Sequence, residues 1–460
     1  MQTTHCATAT ALALLLATTG LAQQIQNITI QQAVENASRN YPAVIVSQEQ
    51  IDVASAGIQL ARTAYLPRLD SIVQINRATR NNVFGLLFPQ SVIPSISGPV
   101  LGTNNFETVW GSAVGATVTW EPFDFGLRSA SVSAATAARM RTEATLKRTQ
   151  FEVSVATADA FLTLVAAQET VQAAQAAVDR AQSLHQVVRA QAEAQLRPGA
   201  DASRTEAELA AARTQLVQAE QARDVARALL SQFVGIPPPQ IVISTGKLLL
   251  PSPDQGSSQF DVTQNPIAAE QSAVVNQKKA DLEILEKSYV PRFFAQASAF
   301  ARGTGALTNG DRVGGLNGLA PDTQNYALGF SITFPVFDRA SIRARQAGQS
   351  ATFRAEMARY DQITTELTSR RNVAVAVLEG ARKVAANTPV AVSAATTANQ
   401  QANARYQAGL GTIVEVADAQ RLLTQAEIDD ALARLGVWRA MLSMAAASGD
   451  IQPFLTSAAP

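Results

Sequence analysis

The sequence predicts a mainly α-helical protein that also carries membrane-type β-strands. Three observations lead to this prediction. Residues 127–197 contain neither glycine nor proline, two short segments at 110–120 and 326–334 alternate large apolar residues with small or polar ones, and the same plan occurs twice along the chain. A helix over those residues would be roughly 100 Å long, far longer than the helices of a compact globular core.

The composition of the 460-residue chain excludes several classes of protein. Basic and acidic residues number 37 each, so the formal net charge is zero, and only 16% of the residues are charged. These values exclude a basic nucleic-acid-binding protein and a charge-driven disordered chain. Hydrophobic residues make up 47% of the chain, and alanine supplies much of that share. Small apolar side chains favour close packing of helices over a bulky enzyme-like core.

The counts of cysteine and histidine exclude most catalytic and metal centres. The chain has one cysteine, Cys6, and two histidines, His5 and His185. A Cys/His metal site, a thiol nucleophile and a disulfide cannot be assembled from these residues. The sequence therefore predicts no metal site, no cofactor and no enzymatic activity. His185 continues a seven-residue spacing set by Leu164, Val171 and Val178, so we interpret it as a polar interruption in a coiled-coil seam.

The N-terminus has the pattern of an export signal. Residues 7–22 form an apolar run that is too short to span a membrane as a helix. Gly20 and Ala22 supply the small residues of a signal-peptidase site, which predicts a signal peptide over 1–22; the alternative is an N-terminal helix of the mature domain. No later segment is a continuous apolar run long enough to span a membrane, so the mature chain could cross one only as strands closed into a barrel.

Four landmarks recur in the same order, which indicates an internal duplication. Asn40-Tyr41-Pro42 is echoed by Gln264-Asn265-Pro266, and Tyr65-Leu66-Pro67-Arg68 is echoed at the same spacing by Tyr289-Val290-Pro291-Arg292. Phe123 is echoed by Phe337, and we match Gly199 with Gly409. This last match implies that the stretch from the strand exit to the tip is shorter by about one helical turn in the second copy. We predict a signal peptide over 1–22, a first repeat over 23–239, a linker over 240–263, a second repeat over 264–449 and a tail over 450–460.

Each copy is predicted to contain one short helix and a long helical hairpin. The first copy has helices at 43–64, 127–197 and 201–234, with the short helix stacked on the end of the last; the second has them at 267–288, 340–407 and 412–448. Gly348, Gly380 and Pro389 are expected to interrupt the long helix of the second copy, with a kink near Asn387. The linker holds one possible strand at 240–244.

Each copy is also predicted to contain two strands, at 68–77 and 108–120 and at 292–301 and 325–334. Alternation of large apolar with small or polar residues suits a wall between lipid and a water-filled lumen, although a soluble sandwich would alternate in the same way. Four strands cannot close a membrane barrel, so several chains would have to share one; two chains would give 8 strands and three would give 12. The residues predicted to face lipid are Trp110, Val114, Val118, Trp120, Tyr326, Leu328, Phe330, Ile332 and Phe334.

Taken together, these segments resemble the TolC family of outer-membrane factors, from Ile28 to about Gly449. The resemblance is carried by the duplicated segments above, by the Pro122-Phe123-Asp124-Phe125-Gly126 strand exit with its counterpart at 335–338, and by the hairpin tip at 406–420. It implies a homotrimer whose twelve strands form one barrel in the outer membrane and whose helices form a periplasmic tunnel. Such a duct would export cargo passively, docked to a periplasmic adaptor protein and an inner-membrane transporter.

The resemblance also implies a gate. Glu415 and Asp418 match acidic rings that narrow the tunnel, and Tyr406 matches a tyrosine of the closing network. The i, i+3 spacing places both carboxylates on one helix face, where three symmetry copies would attract cations. The alternative is an exposed acidic start of a helix. Gly411 stands where the family can carry an arginine. We match Glu415 with Thr205 in the first copy, which leaves Asp201 and Glu206 out of register.

The two hairpin tips are where the resemblance places contact with an adaptor. The residues concerned are Arg197, Pro198, Gly199, Gly409, Leu410, Gly411 and Thr412. As helical turns, both tips are expected to need glycine at a residue with positive φ. The apolar loop at 78–107 would face the cell exterior. The competing interpretation is a periplasmic coiled-coil adaptor or a surface fibre without a membrane barrel. An adaptor or a fibre needs no strands that carry aromatic residues, so the predicted strand pairs favour the channel.

Overall fold

The computed structural model describes residues 26–79, 107–250, 261–307 and 311–459. The predicted signal peptide and most of the loop at 78–107 lie outside these residues. The chain divides into two compact units. We call Met1–Glu49, Ala144–Glu270 and Asp361–Pro460 the helical unit, and Gln50–Glu143 with Gln271–Tyr360 the sheet unit. Each unit takes segments from both predicted repeats, and the boundaries of those repeats remain a prediction.

The described residues are mainly helical, as predicted. In chain order the elements are β1 Gln26–Ile28, α1 Ile30–Asn40, α2 Pro42–Thr63, β2 Arg68–Thr79, β3 Thr108–Trp120, α3 Leu127–Glu193, α4 Gly199–Val234, β4 Ile241–Ile243, α5 Pro266–Lys287, β5 Arg292–Thr304, β6 Thr323–Thr333, α6 Arg339–Gln407, α7 Ile413–Ser448 and α8 Gln452–Ala458. The helices and strands predicted from the sequence are confirmed to within a few residues at each end. The predicted linker strand is confirmed as β4.

The long helix α6 continues through Gly348, Gly380 and Pro389, so the predicted interruptions are wrong. A proline removes one backbone hydrogen bond and a glycine costs about 1 kcal/mol in a helix. A helix of 69 residues retains enough other backbone hydrogen bonds to continue across three such positions. The kink near Asn387 stays a prediction.

The register of the internal repeat differs from the predicted one between the strand exit and the end of the hairpin. The left-handed residues at the two tips are Gln195, with φ 59°, and Gly409, with φ 75°. Their separation along the chain equals that of the left-handed helix caps Gly235 and Gly449. The helices α4 and α7 have 36 residues each and start at the same distance from these tip residues. The match of Gly199 with Gly409 is therefore wrong, because a glutamine takes the left-handed position in the first tip.

The helical unit has one main hydrophobic core. It brings together α1, α3, α4, α7, α8 and the parallel pair formed by β1 and β4. Trp438 and Phe161 are fully buried there, and the ring of Phe454 meets that of Trp438 edge to face at 6.3 Å. The core therefore lies where the returning helices α4 and α7 approach their C-terminal ends.

The short helices begin where the returning helices end. At the start of α2, the ring centroid of Tyr41 lies 5.4 Å from that of Phe233 near the end of α4. At the start of α5, the buried Asn265 donates its Nδ2 hydrogen to the carbonyl of Ala447, and its Oδ1 accepts from the amide of Ile267. These contacts place the first residues of each short helix against the end of its neighbour, as the predicted stacking requires.

The sheet unit contains a four-stranded antiparallel sheet in the order β2-β3-β5-β6. The register sets Val118 opposite Leu69 on one side and Ala297 on the other, and Ala297 opposite Leu328. Residues directly opposite share a face. The apolar face comprises Leu69, Val73, Ile75, Trp110, Val114, Val118, Trp120, Phe293, Ala295, Ala297, Ala299, Ala301, Tyr326, Leu328, Phe330 and Ile332.

The opposite face of the sheet, the polar face, is mostly hydrophilic. Thr117 donates its hydroxyl hydrogen to Ser298 over 3.2 Å, and Gln296 donates Nε2–H to the hydroxyl of Thr119 over 3.3 Å. Three of its apolar residues, Ile72, Ala113 and Phe300, form one small cluster. One face is thus apolar along all four strands, and the other is a hydrogen-bonded polar surface.

The exit from β3 into α3 is held by a buried ion pair. The guanidinium Nε of Arg128 lies 3.0 Å from the carboxylate of Asp124, and that carboxylate also accepts from the amides of Gly126 and Arg128. Arg128 donates further hydrogen bonds to the carbonyls of Ala64 and Pro122 and stacks over the ring of Tyr65 at 4.7 Å. One arginine therefore ties the end of α2 to the start of α3.

Among the described residues, α3 is the one helix whose length and hydropathy would suit a membrane span. Within its most apolar window, 44% of the residues are buried inside the protein. Core helices of soluble proteins pass the same test, so this observation is weak evidence for a helical span.

Candidate functional site

The two hairpin tips of the helical unit have the same backbone design. In the first, the amide of Leu196 donates to the carbonyl of Gln191, and in the second the amide of Leu410 donates to that of Arg405, both over 2.9 Å. This hydrogen bond, between residues five apart, is the one that closes the end of a helix after a residue in the left-handed conformation. Leu196 and Leu410 are therefore equivalent, and each leaves 74% of its surface exposed. The predicted tip residues did not include Leu196.

Arg197 links the first tip to the second. Its Nη2 donates to the main-chain carbonyl of Tyr406 over 2.8 Å, and its guanidinium carbon lies 4.6 Å above the centre of the Tyr406 ring. A charge-assisted hydrogen bond and a cation–π contact therefore act between the same two residues.

Tyr406 is buried between the hairpins with only 3% of its surface exposed. It packs with Val188 of α3 and with Ile413 and Val416 of α7. Its hydroxyl has no hydrogen-bond partner among the described residues. Burial raises the pKa of Tyr406, the negative charge of Asp201 raises it further, and Arg197 opposes both. The predicted gate tyrosine thus lies at the contact between the two tips and stays protonated at neutral pH.

Glu415 and Asp418 lie exposed in the first turns of α7, and each has an arginine partner in its own chain. Arg405 approaches the Glu415 carboxylate to 3.6 Å, and Arg421 approaches Asp418 to 2.6 Å. Thr412 caps the helix by accepting a hydrogen bond from the amide of Glu415. The two carboxylates share one helix face, as predicted, but their charges are locally compensated.

The corrected register changes the acidic match in the first hairpin. At the spacing that relates Gly235 to Gly449, Glu415 corresponds to Asp201 and Asp418 to Arg204, so the prediction that Thr205 takes this place is wrong. Thr205 is 2% exposed and donates its hydroxyl hydrogen to the carbonyl of Ala202. The hydroxyl oxygen also lies 3.0 Å from Nδ1 of His185, within hydrogen-bond distance. His185 thus lies between α3 and α4.

The remaining predicted tip residues have local structural roles. Pro198 is the N-cap of α4, and Gly199 is its first residue, with open space around it and no positive φ. The expectation that the first tip needs glycine is therefore wrong. At Gly411, an added Cβ would approach the Cβ of Arg405 to 3.1 Å. Arg405 would have to shift before an arginine could replace Gly411.

The structure places eight of the nine residues predicted to face lipid on the apolar face. The ninth, Phe334, directly follows β6. Tyr326 and Leu328 are about four-fifths exposed, and Val114, Val118 and Trp120 are about two-fifths exposed. Trp110 is half-buried, and its ring lies 5.2 Å below the guanidinium of Arg77. The alternation seen in the sequence therefore produces a continuous exposed apolar surface.

A comparison with known families identifies this architecture. The model of a family described as outer membrane efflux protein matches residues 31–236 and 263–450. The chain belongs to the outer membrane efflux protein family. Both hairpin tips and all four strands of the sheet lie within the matched residues. This result decides for an outer-membrane channel and against a periplasmic adaptor or a surface fibre.

The efflux protein is also similar to individual relatives. It is 24% identical over 408 residues to the cobalt-zinc-cadmium resistance protein CzcC of Cupriavidus metallidurans, covering 87% of this chain and 85% of the relative. Its fold matches that of CusC with a TM-score of 0.75 at 14% identity, covering 92% of each chain. It matches the outer membrane protein VceC of Vibrio cholerae with a TM-score of 0.70 at 16% identity, covering 92% of this chain and 96% of that one.

Proposed function

We propose that three copies of this efflux protein form a single passive export duct. In this arrangement the three sheets close into one barrel of twelve strands in the outer membrane, and the helical units form a tunnel in the periplasm. The observation that carries the proposal is the sheet, which has a continuous exposed apolar face and two edge strands, β2 and β6, that pair on one side only among the described residues. Open edges are not tolerated in hydrocarbon, so the edges require partners.

The spacing of the aromatic residues supports the membrane placement. Trp110 and Trp120 lie near the two ends of β3 on the apolar face. At about 3.3 Å per residue and a tilt of about 40°, they would be separated by about 25 Å along the membrane normal. That height matches the apolar band of outer-membrane barrels, which is flanked by aromatic residues on both sides.

Exposed apolar side chains on the helical unit support the association of several chains. They lie on the returning helix of the first hairpin and on the long helix of the second. These residues are Val217, Val225 and Leu229 of α4 and Val373, Val377, Val384 and Val390 of α6, each at least half exposed. In the proposed trimer they would be covered by neighbouring subunits.

The hairpin tips would dock to a periplasmic adaptor, which connects the duct to an inner-membrane transporter. The tips end in Leu196 and Leu410, which project from rigid, hydrogen-bonded turns. An exposed apolar side chain on a rigid turn is suited to insertion into a hydrophobic pocket of a partner. Arg197, Pro198, Gly199, Gly409, Gly411 and Thr412 would form the rest of this contact.

The same end of the helical unit would form the gate. Glu415 and Asp418 would line the lumen as acidic rings in the trimer, and Tyr406 would hold the two hairpins together in the closed state. Because Arg405 and Arg421 lie close to the two carboxylates, the net charge of each ring would be less negative than that of three carboxylates alone.

Cysteine cross-linking tests the proposed barrel. Cys6, the only cysteine of the chain, is replaced by serine, and Val73→Cys on β2 is then combined with Leu328→Cys on β6. A screen of neighbouring positions on the apolar face covers the unknown register between subunits. We expect covalent trimers in outer-membrane fractions and heat-dependent conversion of the uncrosslinked trimer to monomer. Val118→Cys on the internal strand β3 is the control and should not cross-link. A monomer recovered without detergent from the periplasm would contradict the proposal.

A further inference from the structure

We propose that Arg77 and Trp110 form a binding site for the phosphate group of an outer-leaflet lipid. The inference rests on the proposed membrane placement of the sheet. Arg77 lies near the end of β2, directly opposite Trp110 of β3, at the end of the sheet far from Arg68. Both residues belong to the side of the sheet that carries Leu69, Val73 and Ile75.

Arg77 is exposed and is oriented by two neutral contacts. Its Nε donates to the hydroxyl of Thr108 over 2.8 Å, and its guanidinium lies 5.2 Å above the indole of Trp110. Within the described ranges no carboxylate forms an ion pair with it. Both contacts leave the Nη1 and Nη2 hydrogens available to a ligand. The guanidinium is therefore held in place with its charge uncompensated.

The arginines at the opposite end of the sheet differ from Arg77 both in the face on which they lie and in having an acidic partner. Arg68 and Arg292 begin β2 and β5 and lie on the polar face. Arg68 pairs with Asp70 at 2.9 Å, and Arg292 forms two hydrogen bonds of 2.8 Å to Glu121. Of these three arginines, the one that faces the proposed lipid side, Arg77, has no acidic partner among the described residues.

The environment selects a phosphorylated lipid as the ligand. Trp110 marks one boundary of the proposed apolar band, so Arg77 lies at the level of lipid headgroups. An arginine costs little at this depth but several kcal/mol at the bilayer midplane. A planar guanidinium binds a phosphate with two parallel hydrogen bonds, and Ile75 and Val73 continue from it along the path of an acyl chain.

The test uses the trimer in nanodiscs that contain either diphosphoryl lipid A or its dephosphorylated form. The trimer is released from the nanodisc, and native mass spectrometry counts the lipids that remain bound. We expect the wild type to retain the diphosphoryl form and Arg77→Gln to retain about tenfold less, the loss expected for a charge-assisted hydrogen bond. Arg77→Lys should fall between the two, because it keeps the charge but loses the planar fork.

The matched control is Arg68→Gln, an arginine of the same strand on the polar face, which should retain lipid as the wild type does. Equal retention of diphosphoryl lipid A by the wild type and Arg77→Gln would overturn the proposal. Displacement of the lipid by inorganic phosphate at the same concentration would overturn it as well, since it would show a site for a free anion. A chain that does not insert into nanodiscs would instead refute the proposed barrel.

Discussion

Arg197 of the first hairpin holds Tyr406 of the second through two contacts, a hydrogen bond to its carbonyl and a stack over its ring. The two residues are distant in sequence, and each lies next to the turn that joins the two helices of its hairpin. Any motion that separates the two tips of one chain must break both contacts. This pair therefore opposes separation of the tips.

The first prediction concerns the contact between Arg197 and Tyr406, which we call the latch. Arg197→Ala removes both contacts, so we expect the conductance of the purified channel in planar bilayers to rise several-fold. A cation–π contact contributes about 0.5–2 kcal/mol and a charge-assisted hydrogen bond about 1.5–3 kcal/mol, which together are enough to shift a closed state toward an open one.

Tyr406→Phe is the matched control for the latch. It keeps the ring and the main-chain carbonyl that Arg197 contacts and removes only a hydroxyl without a hydrogen-bond partner among the described residues. Its conductance should stay within about twofold of the wild type, a change below about 0.5 kcal/mol. A leak in Tyr406→Phe equal to that of Arg197→Ala would show that the hydroxyl, and not the stack, closes the tips.

The second prediction concerns the charge of the proposed gate. Replacing both carboxylates, Glu415→Gln with Asp418→Asn, leaves Arg405 without its ion-pair partner and leaves Arg421 with Glu208 alone, 3.6 Å away. The charge at this end of the helical unit then becomes less negative, so block by multivalent cations should weaken and the reversal potential should shift toward anion selectivity. Asp429→Asn, which changes an exposed acid further along α7, should leave both properties unaltered. If the double variant matches the wild type in both measurements, Glu415 and Asp418 do not face the lumen.

The third prediction concerns the buried ion pair at the exit of β3. Arg128→Ala leaves the carboxylate of Asp124 buried without its partner, which costs about 3–5 kcal/mol. The temperature at which trimer converts to monomer should fall markedly. Ile342→Ala is the control, since Ile342 takes the corresponding position of the second copy, at the spacing that relates Phe123 to Phe337. Its effect should be clearly smaller, and equal losses at both positions would contradict the assigned role of Arg128.

The same ion pair predicts an acid-dependent loss of stability. Burial acts to raise the pKa of Asp124, but hydrogen bonds from the amide and side chain of Arg128 and from Gly126 outweigh it and lower the pKa below its usual value. A carboxyl with a lowered folded pKa stabilises the protein above its unfolded pKa of about 4 and loses that contribution as the pH falls through the folded value. Asp124→Asn should remove this part of the pH dependence in acid-unfolding measurements.

The fourth prediction compares two glycines with the same backbone role. Gly235 and Gly449 both end a returning helix with positive φ. A Cβ at Gly235 would meet open space, whereas one at Gly449 would lie 2.7 Å from the Cα of Asn265 and 2.9 Å from Cδ of Pro266. We expect Gly235→Ala to cost about 1–2 kcal/mol from the left-handed backbone alone. Gly449→Ala should cost clearly more, measured as the midpoint of denaturant unfolding. Equal losses would show that the contact with α5 yields without cost.

Sequence patterns of short range predicted most of the elements correctly. Residues 127–197 lack helix breakers, which predicted α3, and period-two alternation predicted β3 and β6, because both signals act through local backbone geometry. The errors arose where local signals were absent or were outweighed. Gln195 has no feature that marks a left-handed turn, so Gly199 was matched with Gly409 in its place. A proline such as Pro389 normally ends a helix, but the many other backbone hydrogen bonds of the 69-residue helix α6 outweigh that preference.

In the candidate site as well, the sequence predicted some of the residues and only the structure showed their partners. Tyr406, Glu415 and Asp418 were identified through residues that resemble a family, and the structure places all three at one end of the helical unit. Their partners were not predictable, since Arg197 lies 209 residues before Tyr406. The equivalence of Asp201 with Glu415 also required the observed turn geometry.

By itself, the amino-acid sequence determined the element types, the duplicated order and the one-sided apolar pattern of the strands, because these depend on residue spacing along a helix or strand. Only the tertiary structure decided the repeat register at the tips, the contact between Arg197 and Tyr406 and the compensation of the two acids. These features depend on distances between residues far apart in the chain, and packing of whole helices sets those distances.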